Sequence, residues 1–342
     1  MPVAYRDFGY SSSWARDDTA GRDASFSAVR HSEVKHWIQT RGVHWKEDLS
    51  LLESTGPRLN QLSGPDFLGT EFSIRNGERT TVHQPISGYS DVLCFGGSTT
   101  FCVEVADDGT WPSVLQLCIA RDLSPVSICV RNLGIGGTPG LERILTYKYK
   151  FSPKSGDVAV FLFGDNDSGW KMYGSREGMC HQHLPSVIRL LLRAAAVFEL
   201  SGWLYGELSP RYLRRLAVEM AEATIAEADE VAAVAKSKGA RVLFVLQPNI
   251  FTMARPDEWD RKIIDGTARD LGIMLSAAYG RYRRWIVESS FVVSATHIFD
   301  HESPSPYMGD WAHANTRGNQ LIGEFVYKQL KSRGWLSETT SV

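Results

Sequence analysis

Cysteine is scarce in this chain and follows no pairing pattern. Cys94, Cys102, Cys118, Cys129 and Cys180 are odd in number and include no C-x-x-C pair. A disulfide scaffold and a zinc site are therefore both disfavoured. Three of the five sit in apolar runs, where a reduced thiol behaves as a small hydrophobe. An excess of one charge is also lacking, with 37 Lys and Arg against 39 Asp and Glu for a net charge of −2. No basic block stands out, so nothing favours nucleic acid as a partner. The opening residues, MPVAYRDFGYSSSWARDD, lack the basic-then-apolar pattern of a secretory signal, and a cytoplasmic protein is expected. Repeats and low-complexity tracts are missing too. One stretch, Leu184 to Tyr205, is long enough to cross a bilayer. Arg189, Arg193 and Glu199 interrupt it, and charges inside a span are costly, so no membrane span is expected.

What is present is an ordinary globular composition: 342 residues, 43% hydrophobic and 22% charged. Residues 1–89 are polar and aromatic-rich and read as an N-terminal extension packed on a larger body. Trp37, Trp45, Leu49, Leu51 and Leu52 suggest one or two short helices there. Phe67 to Val82 looks like strand material broken at Asn76-Gly77, a hairpin turn. From residue 90 to about 335 the pattern alternates between β and α. Strands are expected at Val92–Phe95, Val126–Val130, Val158–Phe163, Arg241–Leu246 and Phe291–Ile298. Helices are expected from Thr110 as N-cap to Cys118, over Leu141–Tyr149, after Ser209-Pro210 to a Gly239 C-cap, from Pro256 to Glu288, and over Asn315–Leu330. Such alternation implies a mainly parallel sheet with helices on both faces. Ligands then bind beyond the carboxyl ends of the strands.

Residues able to perform acyl transfer come just after those strand ends. Phe95-Gly96-Gly97-Ser98-Thr99-Thr100-Phe101 runs from an apolar strand into two glycines and a serine, which delivers a hydroxyl to the rim of the sheet. Glycines cluster at 134–137, Gly164-Asp165-Asn166-Asp167 follows the third strand, and Asp310-Trp311-Ala312-His313 comes late. Taken alone, Ser98 reads first as a helix cap, and Asn166 and Asp167 serve equally as turn formers. His301, beside Asp300, also follows a strand and rivals His313 as the imidazole. His181 and His183 read as surface-loop residues, because no further ligands stand at metal-site spacing.

The ordered blocks FGGSTTF, NLGIGGTPG, FGDND and DWAHANTRGN resemble those of the SGNH (GDSL-like) hydrolase superfamily over roughly residues 90 to 330. The resemblance implies a three-layer α/β/α sandwich with a mainly parallel, flavodoxin-like five-stranded sheet. It implies Ser98 as nucleophile, His313 as its base and Asp310 as the carboxylate that orients the imidazole. The implied oxyanion donors are the N–H groups of Ser98 and Gly137 and the side-chain amide of Asn166. Gly134, Gly136 and Gly137 lie together, and sequence does not fix which of them serves. One departure is plain: the family's best-known first block has Asp before the nucleophile, where this chain has Gly97.

The expected activity is hydrolysis of a small-molecule carboxylic ester through an acyl-Ser98 intermediate, with no metal or organic cofactor required. An acyltransferase using the same triad and a noncatalytic binding protein on the same fold stay open as alternatives. A helical insertion around 168–206 carries Trp170 and Tyr173. It serves as a lid over the substrate, as ordinary packing, or as a homodimer surface. Trp170, Tyr173 and Gln247 are candidate substrate contacts, and Thr99 and Asp167 are counted with them.

Overall fold

A computed structural model of the chain describes residues 66–69, 72–86, 90–123, 127–136, 138–151, 153–168, 210–267 and 269–336. The expected short helices near Trp37 and Trp45, Gly137 and, apart from Ser168, the insertion expected around 168–206 lie outside the described residues.

Among the described residues, eight strands form one sheet. They are β1 (Phe67–Leu68), β2 (Ser73–Arg75), β3 (Glu78–Arg79), β4 (Ser90–Gly96), β5 (Ile128–Gly134), β6 (Val158–Phe163), β7 (Arg241–Leu246) and β8 (Val292–Ser294). Their spatial order is β1-β2-β3-β5-β4-β6-β7-β8. The segment β5-β4-β6-β7-β8 is parallel throughout. Counted by sequence among themselves, these five strands run 2-1-3-4-5, the flavodoxin-like order. The expected count of five strands falls short of the whole sheet, because the hairpin before residue 80 joins the outer edge of β5. It does so antiparallel, through Arg79 opposite Asn132. Asn76 and Gly77 both take positive φ, 52° and 78°, as a tight hairpin turn that follows the strand twist requires.

The helices are α1 (Ser98–Phe101), α2 (Trp111–Asp122), α3 (Gly140–Thr146), α4 (Pro210–Ser237), α5 (Glu258–Gly266), α6 (Arg269–Glu288) and α7 (Thr316–Ser332). Local chemistry sets several of their ends. The Thr110 side chain accepts from Ser113 N to start α2, and Asn315 accepts from Gly318 N to start α7. The helical region expected between Pro256 and Glu288 holds two helices. Asp257 and Asp260 form a reciprocal capping box that starts α5, which stops at Gly266 before α6 begins.

Alternation along the strands sorts side chains to the two faces of the sheet. Leu93, Phe95, Ala159, Phe161, Phe163 and Phe244 point to the side covered by α3, α4 and α6. There Phe95, Phe161 and Phe244 stack across three adjacent strands, with ring centroids 5.0 and 4.6 Å apart. Val92, Cys94, Val160, Leu162, Leu243 and Val245 point to the side covered by α2 and α7. Both faces being dry explains why β6 reads as an unbroken apolar run. Among the described residues, no helix is long and apolar enough to cross a membrane.

Candidate active site

The rim at the carboxyl ends of β4, β6 and β7 collects the polar residues singled out in the sequence. Ser98 opens α1 directly after β4, and its hydroxyl stands half-buried. Two glycines permit the geometry. A Cβ on Gly97 would lie 2.6 Å from Asn166 Nδ2 and 3.0 Å from Thr138 O. A Cβ on Gly134 would lie 2.2 Å from Phe101 N, so the bare backbone lets β5 end against α1. Any side chain at position 97 would thus enter the space that Asn166 fills.

His313 Nε2 lies 2.9 Å from Ser98 Oγ, across 215 positions of sequence. Its Nδ1 lies 2.5 Å from Asp310 Oδ2. Asp310 also closes its own turn, with Oδ1 accepting from Ala312 N at 2.8 Å and His313 N at 2.7 Å. The loop is fastened at its base, where Met308 N donates to His313 O at 2.8 Å and Ile250 N donates to Trp311 O at 3.0 Å. The Ser98 hydroxyl on α1 therefore stands in line with an imidazole and a carboxylate that share one held turn. His301 lies on an exposed part of the preceding loop.

Asn166 sits in the 3₁₀ turn after β6, half-buried, and its Nδ2 donates to Thr138 O at 3.1 Å. Asp167 is buried and engaged with backbone: its carboxylate accepts from Gly164 N at 3.0 Å and Leu141 N at 3.1 Å. It anchors the start of α3 to the end of β6. Gln247 is buried as well. Its Oε1 accepts from Thr99 Oγ1 at 3.0 Å, and its Nε2 donates to Asp165 Oδ2. The amide that sequence offered to a substrate is thus bonded within the protein. Trp170 and Tyr173 lie outside the described residues.

Three residues of the site were given no role at the level of sequence. Asp165 is a buried hub: besides Gln247 it accepts from Asn249 Nδ2 at 2.6 Å and Tyr279 OH at 2.7 Å. Arg79, on β3, is buried and clamps the loop after α1. Its guanidinium bonds Asp107 Oδ1 at 2.7 Å, the carbonyls of Phe101 and Cys102 at 3.0 Å each, and Val105 O at 2.8 Å. Glu104, on that clamped loop, is buried with Oε1 3.7 Å from His313 Nε2. A lone acid between Val103 and Val105 was a legible hint for Glu104. No local pattern announces Arg79 or Tyr279, whose partners are far along the chain.

Burial and charge act together here. Burial alone would lower the pKa of His313, but the carboxylates of Asp310, Glu104 and Asp165 outweigh it and carry it up to about 10. Burial opposes ionisation of Asp310, yet the facing imidazole and its backbone donors hold the carboxyl below its ordinary value. Burial pushes Asp165 up to about 7 against the pull of Tyr279 and Asn249. Among the described residues, no cluster of three or more His, Cys, Asp or Glu could hold a metal ion.

No protein-family model and no curated protein matches the chain. Solved structures do match at low identity. A GDSL-family lipolytic protein from Desulfitobacterium hafniense DCB-2 is 12% identical, over 70% of this chain and 98% of its own, with a TM-score of 0.39. An alpha/beta hydrolase enzyme, LAE5, from the metagenome of Lake Arreo is 16% identical, over 74% of this chain and 99% of its own, with a TM-score of 0.41. A variant acetyl xylan esterase from Geobacillus stearothermophilus is 13% identical, over 75% of this chain and 99% of its own, with a TM-score of 0.41.

Proposed function

We propose that the chain hydrolyses a small-molecule carboxylic ester through an acyl-Ser98 intermediate. The observation that carries this reading is the continuous line from Ser98 Oγ through both nitrogens of His313 to Asp310. A serine hydroxyl is a weak nucleophile at neutral pH and needs a base within hydrogen-bond reach. His313 Nε2 is that base. As Oγ attacks the ester carbonyl, its proton passes to Nε2, and Asp310 stabilises the imidazolium at Nδ1.

The carbonyl oxygen then carries a full negative charge that fixed donors must meet. The N–H of Ser98, in the first turn of α1, is outside that helix's own bonding pattern. The Asn166 amide packs against Gly97, one residue away, and has a second N–H beyond the one given to Thr138. Gly137 N–H is the third proposed donor. Collapse of the intermediate expels the alkoxide, which takes the proton from Nε2. Water, losing a proton to the same nitrogen, then attacks the acyl carbonyl, and collapse releases the acid and Oγ, which takes that proton back from Nε2.

The test is covalent labelling by a fluorophosphonate together with turnover of short p-nitrophenyl esters. Both are expected to vanish in Ser98→Ala. Labelling that persists at another residue, or unchanged turnover, would remove Ser98 from the role.

A further inference from the structure

Glu104 lies in the stretch Cys102-Val103-Glu104-Val105 and is only 3% exposed. Its Oε1 is 3.7 Å from His313 Nε2, the nitrogen that also meets Ser98 Oγ at 2.9 Å. Asp310 already occupies the other nitrogen at 2.5 Å. The imidazole therefore has a carboxylate at each end, where a serine triad needs only the one remote from the serine. Nor is the placement casual. Arg79 holds the carbonyls of Cys102 and Val105, on either side of Glu104, at 3.0 and 2.8 Å.

We propose that Glu104 is a positioning residue that strengthens the hold of His313 Nε2 on its proton, and so sets the pH at which Ser98 becomes an efficient nucleophile. The proposal rests on the ester-hydrolysis reading and deepens it. A carboxylate this close favours the charged imidazolium over the neutral ring. The neutral ring alone can accept the serine proton, so Glu104 trades activity near neutrality for a stronger base at high pH.

Among the described groups, His313 also faces Asp310 on its own turn, Asp165 after β6 and Ser98 on α1. Glu104 neighbours the Cys102 thiol, which burial and Glu104 together push well up, and Arg79 bonds the Cys102 carbonyl. Of the charges acting on His313, Asp310 lifts its pKa most and Glu104 next, against the lowering effect of burial.

Glu104→Gln keeps the shape and removes the charge. The acid limb of the kcat/KM profile for a p-nitrophenyl ester should move down by at least about 1 pH unit. The variant should then be several-fold faster than the parent at pH 7, while its alkaline plateau falls because a weaker base removes the proton less well. A limb that stays in place or moves up overturns the proposal.

A second arm does not depend on turnover. The His313 Cε1–H resonance is titrated by NMR in Ser98→Ala, with and without Glu104→Gln, and with the milder Glu104→Asp, which keeps an acid but draws it back. A lowered His313 pKa in either variant supports the proposal, and an unmoved one in both overturns it. If the ester-hydrolysis reading itself fails, that shows separately, as absent labelling and turnover in the parent protein, while the titration still decides about Glu104.

Discussion

Replacing Arg79 with Met should cost the protein a large share of its stability, although residue 79 makes no contact with the proposed triad. The guanidinium is fully buried, with its Nε on Asp107 and its two terminal nitrogens on three backbone carbonyls. The rings of Phe72 and Phe101 pack on it, with its central carbon 5.0 and 5.4 Å from their centroids. Methionine matches much of the side chain's length and apolar stem, so lost packing is a minor part of the effect. What remains is a buried ion pair broken on one side, for which the loss is about 3–5 kcal/mol. Each stranded carbonyl would by itself cost about 1–3 kcal/mol. These losses overlap, since Asp107 is 20% exposed and regains water. The net expectation is therefore about 3–5 kcal/mol, against a total of about 5–15 kcal/mol for an ordinary domain. Urea unfolding is the assay, with a lower midpoint and an unchanged slope. Arg79→Lys, which keeps the charge but not the fork, should fall between parent and Met. A Met variant within about 1 kcal/mol of the parent would refute the clamp as an energetic feature.

Two further outcomes concern the chemistry. In the proposed mechanism neutral His313 accepts the Ser98 proton, and three carboxylates raise its pKa to about 10, so kcat/KM should climb with pH from neutrality toward that value. The rise approaches tenfold per unit well below the pKa; a profile flat between pH 7 and 10, after correction for spontaneous hydrolysis, would contradict the assignment. Asn166→Ala removes a proposed oxyanion donor and should lower kcat by about 10²–10³ with little change in KM. A drop confined to KM would make Asn166 a substrate contact instead.

Much of the architecture was open to reading because its signals are local. A buried parallel strand must be apolar on both faces, and Val158–Phe163 and Arg241–Leu246 declare themselves that way. Thr110, Asn315 and Gly239 mark helix ends through groups one to three residues away. Where the helical region from Pro256 to Glu288 divides into α5 and α6 was not marked locally. Nothing at Gly266 forces a stop, since a Cβ there would meet nothing within 4 Å, and the capping box at Asp257 needs the turn already formed. The hairpin at Asn76-Gly77 was legible as a hairpin, but its destination was not, because any unpaired edge could have received it.

Which residues could do chemistry, and in what order they succeed the strand ends, belonged to the sequence alone. Ser98, Asn166, Asp310 and His313 each come after a strand, and a parallel sheet brings the loops at its carboxyl ends to one rim. Distances, partners and charge states belonged to the tertiary structure. Only folding sets a carboxylate from residue 104 beside the imidazole of residue 313, ties Gln247 to Thr99 and Asp165, and threads Arg79 under the loop behind the serine. The physical reason is range. Caps and strand periodicity are settled among neighbours, whereas a buried ion pair or a shifted proton depends on groups that meet only when the sheet has closed over them.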